Sequence, residues 1–91
     1  MAYIRAMEST FSIIAEPSRR AILSLLASAE QSVGDIEEHL RMPQPSVSKH
    51  LRVLREAGLV TTRRRGTQIC YSLDSDALAA VRGLVSGLAA A

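Results

Sequence analysis

One stretch, PQPSVSKHLRVLREAGLVTTRRRG from Pro43 to Gly66, constrains this chain more than any other. From Gln44 to Ala57 the apolar residues Val47, Leu51 and Leu54 recur four and three apart, the spacing of a single helical stripe. Gly58 stands where a left-handed C-terminal cap belongs. The period then changes. Leu59 to Arg65 is rich in β-branched residues and ends in three consecutive arginines, Gly66-Thr67 supplies a turn, and Ile69, Tyr71 and Leu73 alternate with Cys70 and Ser72. A short helix bearing basic and hydroxyl groups is thus followed directly by a basic β-hairpin.

The segments before it read as helices. Ile4, Met7, Phe11 and Ile14 recur at helical spacing over the first fifteen residues, and Pro17 interrupts that run. Proline is tolerated in the first turn of a new helix, and Glu16 complements the helix dipole there. A second helix is therefore expected from Pro17 to Ala27, burying Ala21, Ile22, Leu25 and Leu26. After a polar connection at Ser28-Ala29-Glu30-Gln31, Ser32 is a good N-cap, with Asp35 three residues on, for a third helix carrying Val33, Ile36 and Leu40. Pro43 ends that helix by disfavouring helical geometry in the residue before it. Two short helices about four residues apart, the second stopped by glycine, make a helix-turn-helix. Beyond the hairpin, Asp74 caps a last helix with Leu78, Val81, Val85 and Leu88 on one stripe and Leu84 beside it. The fold class is mainly α with a small β-hairpin: a winged helix-turn-helix in the order α-α-α-α-β-β-α.

Charge follows the same division. Between Arg41 and Gln68 stand seven cations, Arg41, Lys49, Arg52, Arg55, Arg63, Arg64 and Arg65, against the single acid Glu56, a net of +6. The remainder carries four cations against eight acids, a net of −4, so the overall +2 hides the segregation. One part of the molecule is built to meet a polyanion.

Ninety-one residues bound the chain to one domain spanning 1–91, and a chain so short buries only about 60–65% of the surface its unfolded form exposes. No apolar run approaches the ~20 residues that span a bilayer, and no signal-peptide pattern opens the chain, so no membrane partner is implied and the expected location is the cytoplasm. A lone Cys70 excludes an intramolecular disulfide. No paired carboxylates, nucleophile beside a base, glycine-rich phosphate loop or metal cluster is present, so no enzyme and no cofactor are expected. His39 and His50 are single imidazoles, too few for a transition-metal site, which needs three or four convergent ligands. His50, at the edge of the apolar stripe, reads as a half-buried structural histidine rather than a DNA contact.

With these motifs in place, the chain resembles the ArsR/SmtB family of bacterial winged helix-turn-helix transcriptional repressors. The resemblance runs through EPSRRAILSLLA at Glu16 to Ala27, PQPSVSKHLRVLREAGLV, and RRRGTQICYSL at Arg63 to Leu73. It implies a homodimer whose fourth helix enters the major groove, whose wings flank it, and whose first and last helices form the dimer interface. Metal-sensing members of the family carry two cysteines at the start of the third helix, or Asp and His ligands on the last. Here Ser32 and Gly34 stand where thiolates would, and the last helix offers Asp74 and Asp76 without a histidine. Neither serine nor glycine replaces a thiolate as a soft-metal ligand, so the resemblance is to the metal-independent members.

The expected DNA contacts follow from helical projection. Opposite Val47, Leu51 and Leu54 the face centres on Lys49, with Arg52 and Pro45 beside it. Gln44, Ser46, Ser48 and Lys49 occupy the amino-terminal half that meets base edges, while Arg52 and Arg55 suit phosphates. In the hairpin Arg63 and Arg65 project together and Arg64 opposite, with Thr67 and Gln68 adding hydrogen bonds to phosphate. Ser18, Arg19 and Arg20 either touch the DNA backbone or are simply solvated. The partners expected are double-stranded DNA and a second copy of the chain. The stripes Ile4, Met7, Phe11, Ile14 and Leu78, Val81, Val85, Leu88, on dimerisation helices at 1–15 and 75–90, would leave an apolar patch unless paired across a two-fold axis. The expected function is a sequence-specific, autoregulatory repressor on an inverted-repeat operator. The alternatives are a repressor responsive to redox or to a small ligand, with Cys70 more simply an inert buried thiol, and a winged-helix protein-interaction module without DNA.

Overall fold

The computed structural model describes residues 10–77 and residue 79. Residues 10–15 are helical (α1) and end at the break before Pro17. Helix α2, Pro17–Ser28, starts on Glu16 as N-cap, whose carboxylate accepts a 2.8 Å hydrogen bond from the Arg19 amide. The break leaves the last carbonyls of α1 without intrahelical donors. Two guanidinium groups from α2 fill that role. Arg19 Nε donates to the Ile13 carbonyl at 2.9 Å, and Arg20 donates from Nη2 to Ala15 at 2.9 Å and from Nε to Ile14 at 3.3 Å. The choice between DNA contact and plain solvation for these two arginines thus gives way to a capping role at the α1–α2 corner.

Ser32 and Asp35 form a complete capping box at the start of α3, Val33–Leu40. The Ser32 hydroxyl accepts from the Asp35 amide at 3.1 Å, and the Ser32 amide donates to Asp35 Oδ2 at 3.0 Å. Gln31–Ser32 is also a two-residue strand, β1, where the sequence suggested only the end of a connection and an N-cap. Two residues carry no measurable period, so only the partner strand reveals them. The chain leaves α3 through Arg41 in the left-handed region, at φ 53 and ψ 46.

Helix α4, Gln44–Glu56, begins at Pro43 and closes with a full Schellman motif. Gly58, at φ 76, donates to the Arg55 carbonyl at 3.0 Å, and Leu59 donates to Leu54 at 3.0 Å. Strand β2, Val60–Arg65, then pairs antiparallel with β3, Gln68–Leu73, through a turn in which Gly66 takes φ 65. Gln31 pairs with Tyr71 and Ser32 with Cys70, so the sheet has three strands in the order β1-β3-β2. The expected winged helix-turn-helix is present, with β1 as an additional strand holding the wing to the body. Asp74 follows as an N-cap, accepting from the Ala77 amide at 2.8 Å.

The core is one cluster: Ile22, Leu23 and Leu26 from α2, Ile36 from α3, Val47, Leu51 and Leu54 from α4, then Leu59 and Val60. The α4 stripe is buried as its spacing requires. The α2 stripe is rotated from the expected one, since Leu23 is buried while Ala21 and Leu25 are only half-buried. Val33 and Leu40 are half-buried against the same cluster. Of the residues expected in a dimer interface, Phe11 is exposed and Ile14 packs against the core. Ile4, Met7, Leu78, Val81, Val85 and Leu88 lie outside the described residues.

Two stability measurements follow. Ser32→Ala removes the reciprocal cap from a buried site and is expected to cost about 1 kcal/mol, read as a lower urea midpoint with an unchanged slope. Acid should also weaken the fold. The Arg19 amide on Glu16 and the Ser32 amide on Asp35 hold both carboxyls below their ordinary range. A depressed folded-state value means stability present above the unfolded value, about pH 4, and lost as pH falls through the folded one. The urea midpoint should therefore decline on acidification, and Asp35→Asn should make that decline shallower.

Candidate nucleic-acid interface

Because Val47, Leu51 and Leu54 are buried, the opposite face of α4 is turned to solvent, and its exposed cations follow from helix geometry alone. Pro45, Ser48, Lys49 and Arg52 line an open depression of about 330 Å³ on this face. Gln44 is exposed at the amino-terminal end and donates its side-chain amide to Ser48 Oγ at 3.1 Å. These two polar groups are therefore held together one turn apart. Ser46 is half-buried, and Arg55 is exposed nearer the carboxy-terminal end of the same helix.

His50 occupies the helix edge assigned to it, its side chain 17% exposed, with Nδ1 3.9 Å from Glu16 Oε2. That nitrogen is buried and makes no hydrogen bond. The imidazole packs α4 against the start of α2, behind the exposed face. His39 is on the exposed side of α3, where Nδ1 lies 2.8 Å from the Asp35 carbonyl. Among the described residues no three His, Cys, Asp or Glu side chains are grouped closely enough to hold a metal ion. Ser32, at one of the two positions where a thiolate would stand, is buried and its hydroxyl is engaged in the capping box.

The wing places its polar residues by register. Arg63 lies opposite Cys70, Arg64 opposite Ile69, and Arg65 opposite Gln68, so Arg63 and Arg65 share one face and Arg64 takes the other. Residues 61 to 69, including Thr67 and Gln68 at the tip, are all exposed. Two of the three arginines have an acidic neighbour. Arg63 donates to Glu30 from Nε to Oε2 at 2.7 Å and from Nη2 to Oε1 at 2.9 Å, and Arg65 Nη1 stands 3.9 Å from Oε1. Ser72 Oγ donates to the same carboxylate at 3.2 Å. The Arg63 hydrogen bonds, chiefly, hold the Glu30 carboxyl below its ordinary range and raise the guanidinium of Arg63.

Glu30 is the residue that sequence reasoning passed over, placing it in a polar connection. It reaches Arg63 only because β1 pairs with β3 and sets the end of α2 beside the wing, a separation of 33 residues. Cys70 is a free thiol buried in β3 at 5% exposure, the burial expected for it. No helix among the described residues is long and apolar enough to cross a membrane.

This arrangement has close relatives. Residues 16–62 match the family model described as bacterial regulatory protein, arsR family. The transcriptional repressor SdpR of Bacillus subtilis is 40% identical over 72 residues, covering 79% of this chain and 80% of that protein. A crystal structure of a possible transcriptional regulator for arsenical resistance superposes with a TM-score of 0.76 at 43% identity, covering 85% of this chain and 80% of the other. The homodimeric winged helix-turn-helix DNA-binding domain of a possible ArsR-family regulator from Mycobacterium bovis gives 0.81 at 31% identity, covering 97% and 82%. With the helix-turn-helix, the wing and the charged helix face all in place, the chain belongs to the arsR family of bacterial regulatory proteins, which are transcription regulators with a winged helix-turn-helix DNA-binding domain and not enzymes.

Proposed function

We propose that this chain is a sequence-specific repressor that binds an inverted-repeat operator as a homodimer, blocks promoter access, and acts on its own promoter among others, working in the cytoplasm where its DNA is. The observation that carries the reading is the exposed depression of Pro45, Ser48, Lys49 and Arg52 on the free face of α4, backed by the buried stripe of Val47, Leu51 and Leu54. A helix so oriented lays its amino-terminal half along base edges in the major groove. Gln44, Ser46, Ser48 and Lys49 are the base-facing set. Gln suits the adenine edge and Lys the guanine O6/N7 edge, and each good contact discriminates by roughly 1–3 kcal/mol. Arg52 and Arg55 take phosphates. The wing supplies the second point of contact through the arginine run of β2, with Thr67 and Gln68 at the turn.

The homodimer rests on the exposed Phe11 at the start of the described chain and on the homodimeric state named for the Mycobacterium bovis domain. Residues 1–15 and 75–90, with Ile4, Met7, Ile14, Leu78, Val81, Val85 and Leu88, form its interface. Two-fold pairing sets the recognition helices about 34 Å apart, one turn of DNA. The regulator is of the metal-independent type. Ser32 is committed to the capping box and Gly34 has no side chain, so the start of α3 lacks a soft-ligand pair.

Selection of bound fragments from a random duplex pool tests this reading directly. The expected product is an inverted repeat with half-site centres about one helical turn apart; fragments without symmetry, or no enrichment, would overturn it. Lys49→Ala should weaken binding to the selected site by about tenfold or more, and binding to random DNA far less. Equal losses on both would reduce Lys49 to a phosphate contact.

A further inference from the structure

Resting on the DNA-binding reading above, we propose that Glu30 is an internal stand-in for a DNA phosphate, which neutralises Arg63 and leaves Arg64 as the arginine of the run that the wing brings to DNA. Three observations carry this. The Glu30 side chain is only 20% exposed, against 65% for Arg63, so the carboxylate sits in the wall of the fold and the guanidinium comes to it. The pairing is bidentate, through the same planar fork of donors with which arginine grips a phosphate. Ser72 supplies a further hydrogen bond from the central strand, and Arg65 leans toward the same carboxylate at 3.9 Å. Glu30 also precedes Gln31, whose pairing with Tyr71 anchors it to the sheet.

Arg64 differs in every respect. Its neighbour across the ladder is Ile69, which offers no anion and is itself 45% exposed. Among the described residues Arg64 makes no ion pair. It projects from the same face of β2 as Val60, and Val60 is buried in one cluster with Leu51 and Leu54 of α4. The face that carries Arg64 is therefore continuous with the one packed against the recognition helix, whereas Arg63 and Arg65 face the opposite way.

The consequence is an ion count. A cation that neutralises a phosphate releases a counterion from DNA and steepens the salt dependence of binding. If Arg63 stays on Glu30 it releases none. If it moves to a phosphate it exposes Glu30, which recruits a cation in exchange, so the pair contributes close to nothing either way. Arg64 carries no such penalty.

Binding of the full chain to a duplex carrying its selected site, titrated with salt, tests the proposal. Glu30→Gln keeps the shape of the side chain and its acceptor for Ser72 while removing the charge. It should steepen the slope of log affinity against log salt by about one unit per subunit and raise affinity for random duplex. The neutral pair deletion Glu30→Gln with Arg63→Ala should restore the wild-type slope, while Arg64→Ala alone should flatten it by a similar amount. An unchanged slope in Glu30→Gln, or a pair deletion that flattens the slope as much as Arg64→Ala does, overturns the assignment. Circular dichroism and the urea midpoint of each variant confirm that folded protein is compared. A wild type that binds no duplex would instead sink the DNA-binding reading itself.

Discussion

The structure depends on one apolar contact: the stripe of Val47, Leu51 and Leu54 on α4 seated against Ile22, Leu26 and Ile36. Val47, Ile22, Ile36 and Leu54 have no exposed surface at all, and Leu51 has almost none. Each such side chain contributes about 1.5–3 kcal/mol by leaving water, so rotation of α4 about its axis is strongly resisted. That resistance is the functional point. A helix that must present one set of side chains to a partner has to be prevented from turning, and here the buried face fixes the exposed one. The α4 termini reinforce it, with Pro43 setting the entry and the Gly58 motif aiming the chain into β2.

Electrostatics is arranged around that scaffold at two levels. Within the fold, acids sit where free amides need them: Glu16 at the start of α2, Asp35 in the capping box and Asp74 before residues 75–77. Arginines do the converse at the end of α1. These contacts absorb part of the charge that composition alone would assign to a binding surface. Among the described residues, the solvent-facing cations include Arg41, the row of Lys49, Arg52 and Arg55 on α4, and the wing arginines, and the wing is itself divided by Glu30. Net charge along the sequence thus overstates the cations available to a polyanion. Only hydrogen-bond partners show which ones are already engaged.

How much could be read without coordinates depended on the range of the interaction involved. Helix boundaries at Pro17, Ser32, Pro43 and Gly58 are local matters of ring geometry, capping and positive φ, and they stand where the residues indicated. The α4 face was legible for the same reason, because a clean 4-3 spacing leaves one orientation. The α2 stripe was less so. With Ile22, Leu23, Leu25 and Leu26 all apolar, several rotations are compatible with the spacing, and packing against α3, α4 and β3 selected Leu23 over Ala21 and Leu25. Strand β1 was illegible because two residues have no period, and its pairing partner lies about forty residues away.

By itself, the sequence determined helices α2 to α4 and the two wing strands, the exposed face of α4, the turn at Gly66 and the concentration of positive charge in one segment. Each of these is set by neighbours within about one turn or one strand of chain, where backbone stereochemistry and side-chain period act. The tertiary structure alone decided the third strand, the capping of α1 by Arg19 and Arg20, the setting of His50 beside Glu16, and the capture of Arg63 by Glu30 across 33 residues. Apart from the arginine caps, which reach back only five or six residues, those are contacts between groups distant along the chain. Their geometry exists only once the core has closed and brought the end of α2 alongside the wing.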